Sequence, residues 1–183
     1  MASIITATTT SGLTQSADNS GVLQLASGVG NLVTVPAVTG TAMVSGNMPA
    51  FSAFASTTQS ISGATWTKVN FANERFDTNN NFASSRFTPT VAGYYLLSTN
   101  VYFGSNPSVA ILNLSINGGG SDGIGLNRMT TSGAGQLSGS TLFYMNGTTD
   151  YAEIFFYSSN ANTLSDSSAN TLVTFAGSLV RTA

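Results

Sequence analysis

The segment from Phe76 to Phe103, FDTNNNFASSRFTPTVAGYYLLSTNVYF, constrains the fold of this chain more than any other stretch. A turn-rich run (DTNNN) and a short strand (RFT) lead to a proline corner at residues 88–90. Gly93 then precedes a long aromatic and β-branched strand, residues 94–103. Two strands that meet through such a corner predict one edge of an antiparallel sandwich. The segment contains no residue suited to catalysis.

The rest of the chain after residue 47 predicts further short strands separated by turns. The run SVAILNLSING predicts a half-buried strand, because Leu112, Leu114 and Ile116 alternate with Ile111, Asn113 and Ser115. The runs QLSGSTLFYM and YAEIFFY flank Asn146-Gly147 and predict a hairpin. Residues 124–130 and 171–180 predict two more strands, and SSNANTLSDSSAN predicts a loop between them.

These segments amount to about ten short strands, with no convincing helix of ten or more residues. Short strands punctuated by Gly, Asn and Pro are typical of a sandwich or barrel rather than of alternating βαβ units. The chain of 183 residues is long enough for one ordinary domain and an extension. The prediction is therefore an all-β antiparallel sandwich of about ten strands, residues 47–183, behind an N-terminal arm and linker, residues 1–46.

Charged residues make up only 7 % of the chain, against about 25 % in a typical soluble domain. A chain with so few charges is expected to cover much of its surface with partner subunits. Only five Lys and Arg residues are present and the net charge is −2, so no basic surface for nucleic acid is predicted. There is no Cys, and the N-terminus shows neither a signal peptide nor a membrane span.

Residues 1–46 differ in composition from the rest of the chain. They are rich in Thr, Ser, Gly, Ala and Val and contain no aromatic residue. Short β-prone runs occur at residues 3–9, 21–25 and 31–35. One interpretation is a disordered leader. The favoured one is an arm that docks on a neighbouring subunit by strand addition. Its candidate docking residues are Val22, Leu23, Leu25, Leu32, Val33 and Val35.

The order of landmarks in residues 48–183 resembles that of the globular head of complement component one-q and its tumour necrosis factor-like relatives. The most specific matches are RFTPTVAGYY, with Phe87, Pro89, Gly93 and Tyr95, and the ending TFAGSLV. PAFSAF, FDTNNNF and LSGSTLFYMNGTTDYAEI occur in the expected order. The resemblance implies a jelly roll that trimerises through one apolar face. The candidates for core or trimer packing are Phe51, Phe54, Trp66, Tyr95, Tyr102, Phe155, Tyr157 and Phe175.

The resemblance also has departures. The leader has no collagen-like Gly-x-y period. The calcium site of some relatives would need clustered carboxylates, whereas only Asp122 and Asp166 lie near apical turns, so no metal is expected. The leader segment TSGLTQSADNSGVLQLASG is itself similar to segments of bacteriophage tail-fibre and other virion proteins.

Catalysis is not predicted, because His and Cys are both absent and no cofactor motif is present. The close carboxylate pairs are Glu74 with Asp77 and Asp150 with Glu153. We expect Asp77 to cap its own turn and Glu153 to lie on a strand face. The aromatic residues, Tyr94 and Tyr144 among them, are expected in the core or at the trimer seam rather than in a sugar site.

The sequence therefore favours a non-enzymatic bacteriophage virion protein, a trimeric capsid cement or decoration protein anchored by its arm to capsid or tail subunits. The alternative is a fibre tip that binds a host glycan or protein through apical loops at residues 104–108, 117–123 and 158–170. A secreted bacterial adhesin or complement-type ligand is a third hypothesis, and an enzyme ranks last.

Overall fold

In a computed structural model of the protein, the residues described are 46, 48–104, 107–130, 133–165 and 172–183, together with the backbone of two short strands before them. The chain divides into two compact units, Met1–Thr41 and Ala42–Ala183. The runs predicted at residues 3–9, the docking candidate Val22 and the loop acid Asp166 lie outside the described residues.

The first unit contains a two-stranded antiparallel ladder. Strand β1, Leu23–Ala26, pairs with β2, Leu32–Val35, in a register that places Leu23 opposite Val35. The docking candidates Leu23 and Leu25 lie in β1, and Leu32, Val33 and Val35 lie in β2.

The second unit is built of antiparallel strands, and its described residues contain no α-helix. Several of its strands are only two or three residues long. In chain order they are β3 Ala50–Phe54, β4 Gln59–Ile61, β5 Thr65–Lys68, β6 Asn73–Asp77, β7 Phe82–Ala83, β8 Arg86–Phe87, β9 Gly93–Phe103, β10 Ala110–Ile116, β11 Ile124–Met129, β12 Gly135–Met145, β13 Ala152–Ser158, β14 Asn162–Leu164 and β15 Thr174–Thr182.

These strands form two sheets. In the six-stranded sheet, β11, β10 and β13 lie side by side, and the far edge of β13 carries β5 and then the β7–β8 hairpin. In the seven-stranded sheet, β9 pairs along its whole length with β12. The other edge of β9 carries β15 and, at the end of β9, β14. Beyond them, β3 and β6 follow β15, and β4 follows β14.

The core lies between the two sheets and is dominated by aromatic rings. The Phe51 ring stacks on Phe82 and Phe87 at centroid distances of 5.0 and 4.4 Å, and Phe175 meets it edge-on at 4.9 Å. Offset and edge-on ring pairs of this kind stabilise a core by about 0.5–1.5 kcal/mol beyond their buried area. The predicted all-β antiparallel sandwich is confirmed.

The predicted hairpin between residues 136–145 and 151–157 is wrong. Strand β12 pairs with β9 in one sheet, whereas β13 pairs with β10, β5 and β8 in the other. Residues 146–151 therefore cross between the sheets. The Asn146 side chain orders this crossing, since its Oδ1 accepts the N–H groups of residues 148, 149 and 150. An Asn-Gly pair signals a turn but does not specify which strands it joins.

The proline corner also differs from its prediction. Strands β8 and β9 belong to different sheets, so the corner carries the chain across the sandwich instead of forming one edge of it. Strand β9 has neighbours on both sides. The predicted loop after residue 157 contains a strand, β14, which pairs with β4 and β9.

Strand β10 is buried on both faces instead of one. The exception to the predicted alternation is Asn113 and Ser115, which are both at most 4 % exposed. The Asn113 Nδ2 donates to the carbonyl oxygen of Gly120 at 3.0 Å. Residues 117–123 therefore fold back over the outer face of the six-stranded sheet. At Gly120 this loop lies so close to Phe155 and Trp66 that a Cβ atom would stand 2.7 Å and 2.8 Å from their side chains.

Candidate functional site

The outward face of β9 and β12 is a ladder of directly opposed side chains. Two rungs are apolar, Tyr94 opposite Tyr144 and Leu96 opposite Leu142. The next three rungs towards the other end are polar or mixed and pair residues 98 with 140, 100 with 138, and 102 with 136. The side chains between these positions on both strands point into the core, so the side chains of every rung point outward.

The apolar end of this ladder is exposed to solvent. Tyr94, Leu96, Leu142 and Tyr144 are 43, 45, 54 and 43 % exposed. Val180 is 53 % exposed and is the extra residue of a bulge in β15, where Leu179 pairs with Tyr95 and Arg181 pairs with Tyr94. These five side chains, Tyr94, Leu96, Leu142, Tyr144 and Val180, are called the apolar patch below. Single exposed hydrophobic residues are ordinary, but a contiguous group of them marks an interaction surface.

The face around the patch is almost free of charge. Strands β9 and β12 contain no Lys, Arg, Asp or Glu over their 11 residues each, β3 contains none, and β15 contributes only Arg181. The other charged residues in the strands of this sheet are those of β6 beyond β3, namely Glu74, Arg75 and Asp77. The surface of an isolated soluble domain normally mixes both signs of charge to remain monomeric. A broad sheet face with so few charges around an apolar group is instead typical of a surface that another copy or partner covers.

Three residues that the sequence singled out for packing lie in the core, since Phe51, Tyr95 and Phe175 are at most 1 % exposed. The Tyr95 hydroxyl donates to the carbonyl oxygen of Val91 at 2.7 Å, and burial raises the pKa of Tyr95 to about 12. Tyr102 is half-buried on the last rung of the ladder. Phe54 is half-buried, with the Arg75 guanidinium 4.9 Å from its ring centroid.

The other packing candidates lie on the six-stranded sheet. Trp66 and Tyr157 pair across β5 and β13 with ring centroids 5.4 Å apart, and both are half-buried. Phe155 lies two residues from Tyr157 on β13 and is packed against the loop at Gly120. The structure therefore does not bring the predicted residues into one site. The sequence also missed Leu96, Leu142 and Val180, although the run YYLL was a signal that the outward face of β9 is apolar as well as its inward face.

The carboxylates occupy structural positions. Asp77 accepts the N–H groups of Asn79 and Phe82 at 3.3 and 2.7 Å, which confirms its predicted capping role. Asp150 accepts from the backbone N–H of Asn146 and from the side chain of Asn117. Glu153 accepts from two cationic side chains. Among the described residues, no group of three or more potential metal ligands occurs. No helix in the described ranges is long and apolar enough to span a membrane.

No family model matches the sequence, and no curated protein matches it significantly. Solved structures do. The globular domain of zebrafish complement 1qA protein superposes with a TM-score of 0.53 at 18 % identity and covers 74 % of this chain and 98 % of that one. Murine APRIL gives a TM-score of 0.56 at 15 % identity, covering 73 % of this chain and 99 % of the other.

Eiger TNF from S. frugiperda gives a TM-score of 0.54 at 8 % identity, with 74 % of this chain and 93 % of that chain covered. These identities are too low to carry a function, but the agreement in fold is consistent across the three structures. The predicted jelly roll of the complement one-q and tumour necrosis factor type is confirmed.

Proposed function

We propose that this chain is a non-enzymatic structural protein that forms a homotrimer through the apolar patch. The observation that carries the proposal is the exposed ladder of Tyr94, Leu96, Leu142 and Tyr144 on two strands that carry no charged residue. Complete burial of such side chains is worth about 1.5–3 kcal/mol each, and each is already partly covered. Burial of the part of each side chain that is still exposed therefore contributes roughly 1 kcal/mol, and a trimer buries three such patches.

The choice of three copies rests on the fold. Complement one-q heads and tumour necrosis factor-like proteins, which this unit resembles, assemble around a threefold axis. A closed ring of three copies hides the patch of every protomer, whereas an open arrangement would leave one patch exposed at its end. The structural role itself is supported by the absence of His and Cys from the sequence and by the structural use of Asp77, Asp150 and Glu153.

We further propose that the trimer belongs to a bacteriophage virion, where it acts as a capsid cement or decoration protein assembled in the host cytoplasm. Residues 1–46 would anchor it to major capsid or tail subunits by strand addition. The support is the similarity of the leader to virion segments and the low charge of the whole chain, 7 %. Threefold symmetry suits a position where capsomers meet around a threefold axis. The alternative location is a tail or head fibre whose tip attaches to the host.

Sedimentation velocity of the purified chain tests the trimer. We expect the mass of three copies in the wild type and a shift towards monomer for Leu142→Lys, since a buried lysine without a partner opposes association. Ser121→Lys adds the same charge at an exposed loop position on the six-stranded sheet and serves as the matched control. A wild-type monomer at micromolar concentration, or equal dissociation of both variants, would refute the proposed interface.

Deletion of residues 1–46 tests the arm. Particles that lack the protein are incubated with the full chain or the truncated chain, and bound protein is quantified after sedimentation of the particles. We expect binding only with the arm. Equal binding of both forms contradicts an anchoring arm, and the copy number separates the two locations, because hundreds of copies per particle indicate cement and a few dozen or fewer indicate a fibre.

A further inference from the structure

A polar cleft lies on the opposite side of the sandwich from the apolar patch, where the edge of β13 changes partner. Strand β5 pairs with residues 155–158 of β13, and β8 pairs with Ala152. Glu153 lies at the junction between the two. The N–H of Val69 donates to the carbonyl oxygen of Ile154 at 2.9 Å and holds the residue after β5 against β13.

Two cations meet one carboxylate at this junction. Glu153 Oε1 accepts from Lys68 Nζ at 2.7 Å and from Arg86 Nε at 2.9 Å. The Glu153 side chain is only 5 % exposed, whereas those of Lys68 and Arg86 are 29 and 41 % exposed. The anion is therefore buried beneath two cations that face solvent, and the group carries one net positive charge in a chain whose total charge is −2.

The cations line a cleft with a volume of about 540 Å³. This is within the range of about 300–1,000 Å³ that small-molecule sites occupy. Among the described residues, the lining includes no carboxylate and only one apolar side chain, that of Ala83. Its other groups are neutral hydrogen-bonding side chains, those of Asn80, Asn81, Ser84, Thr88 and Thr90.

The guanidinium of Arg86 is held in a fixed plane. Its Nε is engaged by Glu153, and its Cζ lies 3.7 Å from the centroid of the Tyr151 ring. Among the described residues, its terminal Nη groups make no hydrogen bond. A planar fork that is stacked and oriented in this way matches the two oxygens of a carboxylate, and little further conformational entropy is lost on binding.

One wall of the cleft is a strained turn. Ser84 and Ser85, between β7 and β8, have φ angles of 52° and 58°, and Asn80 has 53°. Serine rarely adopts this left-handed conformation, which costs about 1–3 kcal/mol. Ser85 is compensated, since its Oγ accepts the N–H of Phe71 at 2.8 Å. The Ser84 hydroxyl has no such partner within the described residues and remains available at the cleft.

We propose that this cleft binds an acidic sugar. Lys68 and Arg86 hold the carboxylate, and the side chains of Asn80, Ser84, Thr88 and Thr90 hydrogen-bond the ring hydroxyls. One net positive charge matches one carboxylate, and the neutral polar lining matches a polyhydroxylated ring better than a peptide. The site lies on the other sheet from the apolar patch and does not depend on the assembly proposed above.

Isothermal titration calorimetry of the full chain tests the site, with D-glucuronic acid, D-glucose and inorganic phosphate as probes. We expect saturable binding of glucuronic acid, with glucose at least about tenfold weaker because it lacks the charge. Arg86→Gln should weaken glucuronic acid binding by about tenfold or more. Arg128→Gln removes an exposed arginine on β11, at the far edge of the same sheet, and should leave the affinity unchanged.

Because Arg86 also supports Glu153, two further variants leave the ion pairs intact. Asn80→Gly preserves the positive φ while it removes the amide, and Thr88→Val removes a hydroxyl at constant shape. Each should weaken binding by about threefold to tenfold. Equal binding of glucose, binding of phosphate alone, or equal affinity in all variants would overturn the proposal. Sedimentation of the same samples reports assembly separately, so that failure of the sugar site and failure of the trimer are distinguishable.

Discussion

Tyr94 and Tyr144 stand directly opposite each other on β9 and β12, with ring centroids 5.6 Å apart and planes inclined by 61°. Edge-on contact of this type stabilises a protomer by about 0.5–1.5 kcal/mol. Both rings are nevertheless more than two-fifths exposed, at 43 % each. The pair is ordered but uncovered, and it belongs to the surface that the proposed trimer would bury.

Assembly through this pair predicts that the melting temperature depends on protein concentration. Anything that binds only the folded state stabilises it by mass action, and each protomer is a ligand for the others. We expect the melting temperature of the wild type to rise over roughly a hundredfold range of concentration. Tyr144→Ser should remove most of that rise.

Met48→Ser is the control for this measurement, since Met48 is 40 % exposed but lies outside the patch. It should retain the concentration dependence of the wild type. A flat melting temperature in the wild type, or an equal loss of the dependence in both variants, would show that the patch is not an interface.

Glu153→Gln should destabilise the fold because it leaves Lys68 and Arg86 side by side without their shared carboxylate. Loss of one partner of a buried ion pair costs about 3–5 kcal/mol, and the partial exposure of both cations reduces the expected cost to about 2 kcal/mol. Chemical denaturation measures the change. Glu74→Gln, at an exposed carboxylate on β6, should change the free energy of unfolding by less than about 0.5 kcal/mol. Equal effects of the two substitutions would mean that the triad adds nothing to stability.

Gly147→Ala should be among the most damaging single-methyl substitutions. Gly147 has a φ of +70°, and an added Cβ would clash with the backbone nitrogen of Ala92. Conformational strain of about 1–2 kcal/mol and the clash together should lower the free energy of unfolding by about 3 kcal/mol. Gly119→Ala provides the comparison, because Gly119 has a φ of +89° but its nearest neighbour is the Asp122 carboxylate at 3.9 Å. Gly119→Ala should therefore lose only the free energy of the conformational strain. Equal losses in the free energy of unfolding of the two variants would refute the clash at Gly147.

Local pattern was enough to predict the longer strands, but neither the short strands β4, β6 and β14 nor the partners of the strands it did predict. The alternation of residues 94–103 is present in the sequence and corresponds to β9. Its pairing with β12, about forty residues later, depends on which faces the rest of the chain covers, and this is a non-local property. For the same reason, the Asn146-Gly147 pair correctly predicted where the chain turns, but the hairpin predicted around it was wrong.

The candidate sites were less accessible to sequence analysis. The sequence predicts only that Glu153 lies on a strand face, because its partners Lys68 and Arg86 are 85 and 67 residues away in the chain. Their convergence requires two short strands to share one edge of β13. The alternation of residues 111–116 predicted that Asn113 and Ser115 are exposed. This was wrong because the loop at Gly120 covers that face, and such a tertiary contact leaves no periodic pattern in the sequence.

Tyr95 predicts how the fold responds to alkaline pH. Its hydroxyl is buried and donates to the carbonyl oxygen of Val91, and burial raises its pKa from 10.0 to about 12. The folded state therefore binds this proton more tightly than the unfolded chain. The resulting stability is fully present below pH 10 and is lost as the pH rises towards 12, by on the order of 2 kcal/mol in total.

The variant Tyr95→Phe isolates this contribution, because all other titrating groups are common to both proteins. At neutral pH it should be less stable by about 1 kcal/mol, since the carbonyl of Val91 loses its donor. Between pH 10 and 12 it should lose less stability than the wild type, so that the two denaturation curves converge or cross. Parallel loss of stability in both proteins over this range would show that Tyr95 does not hold its proton in the folded state.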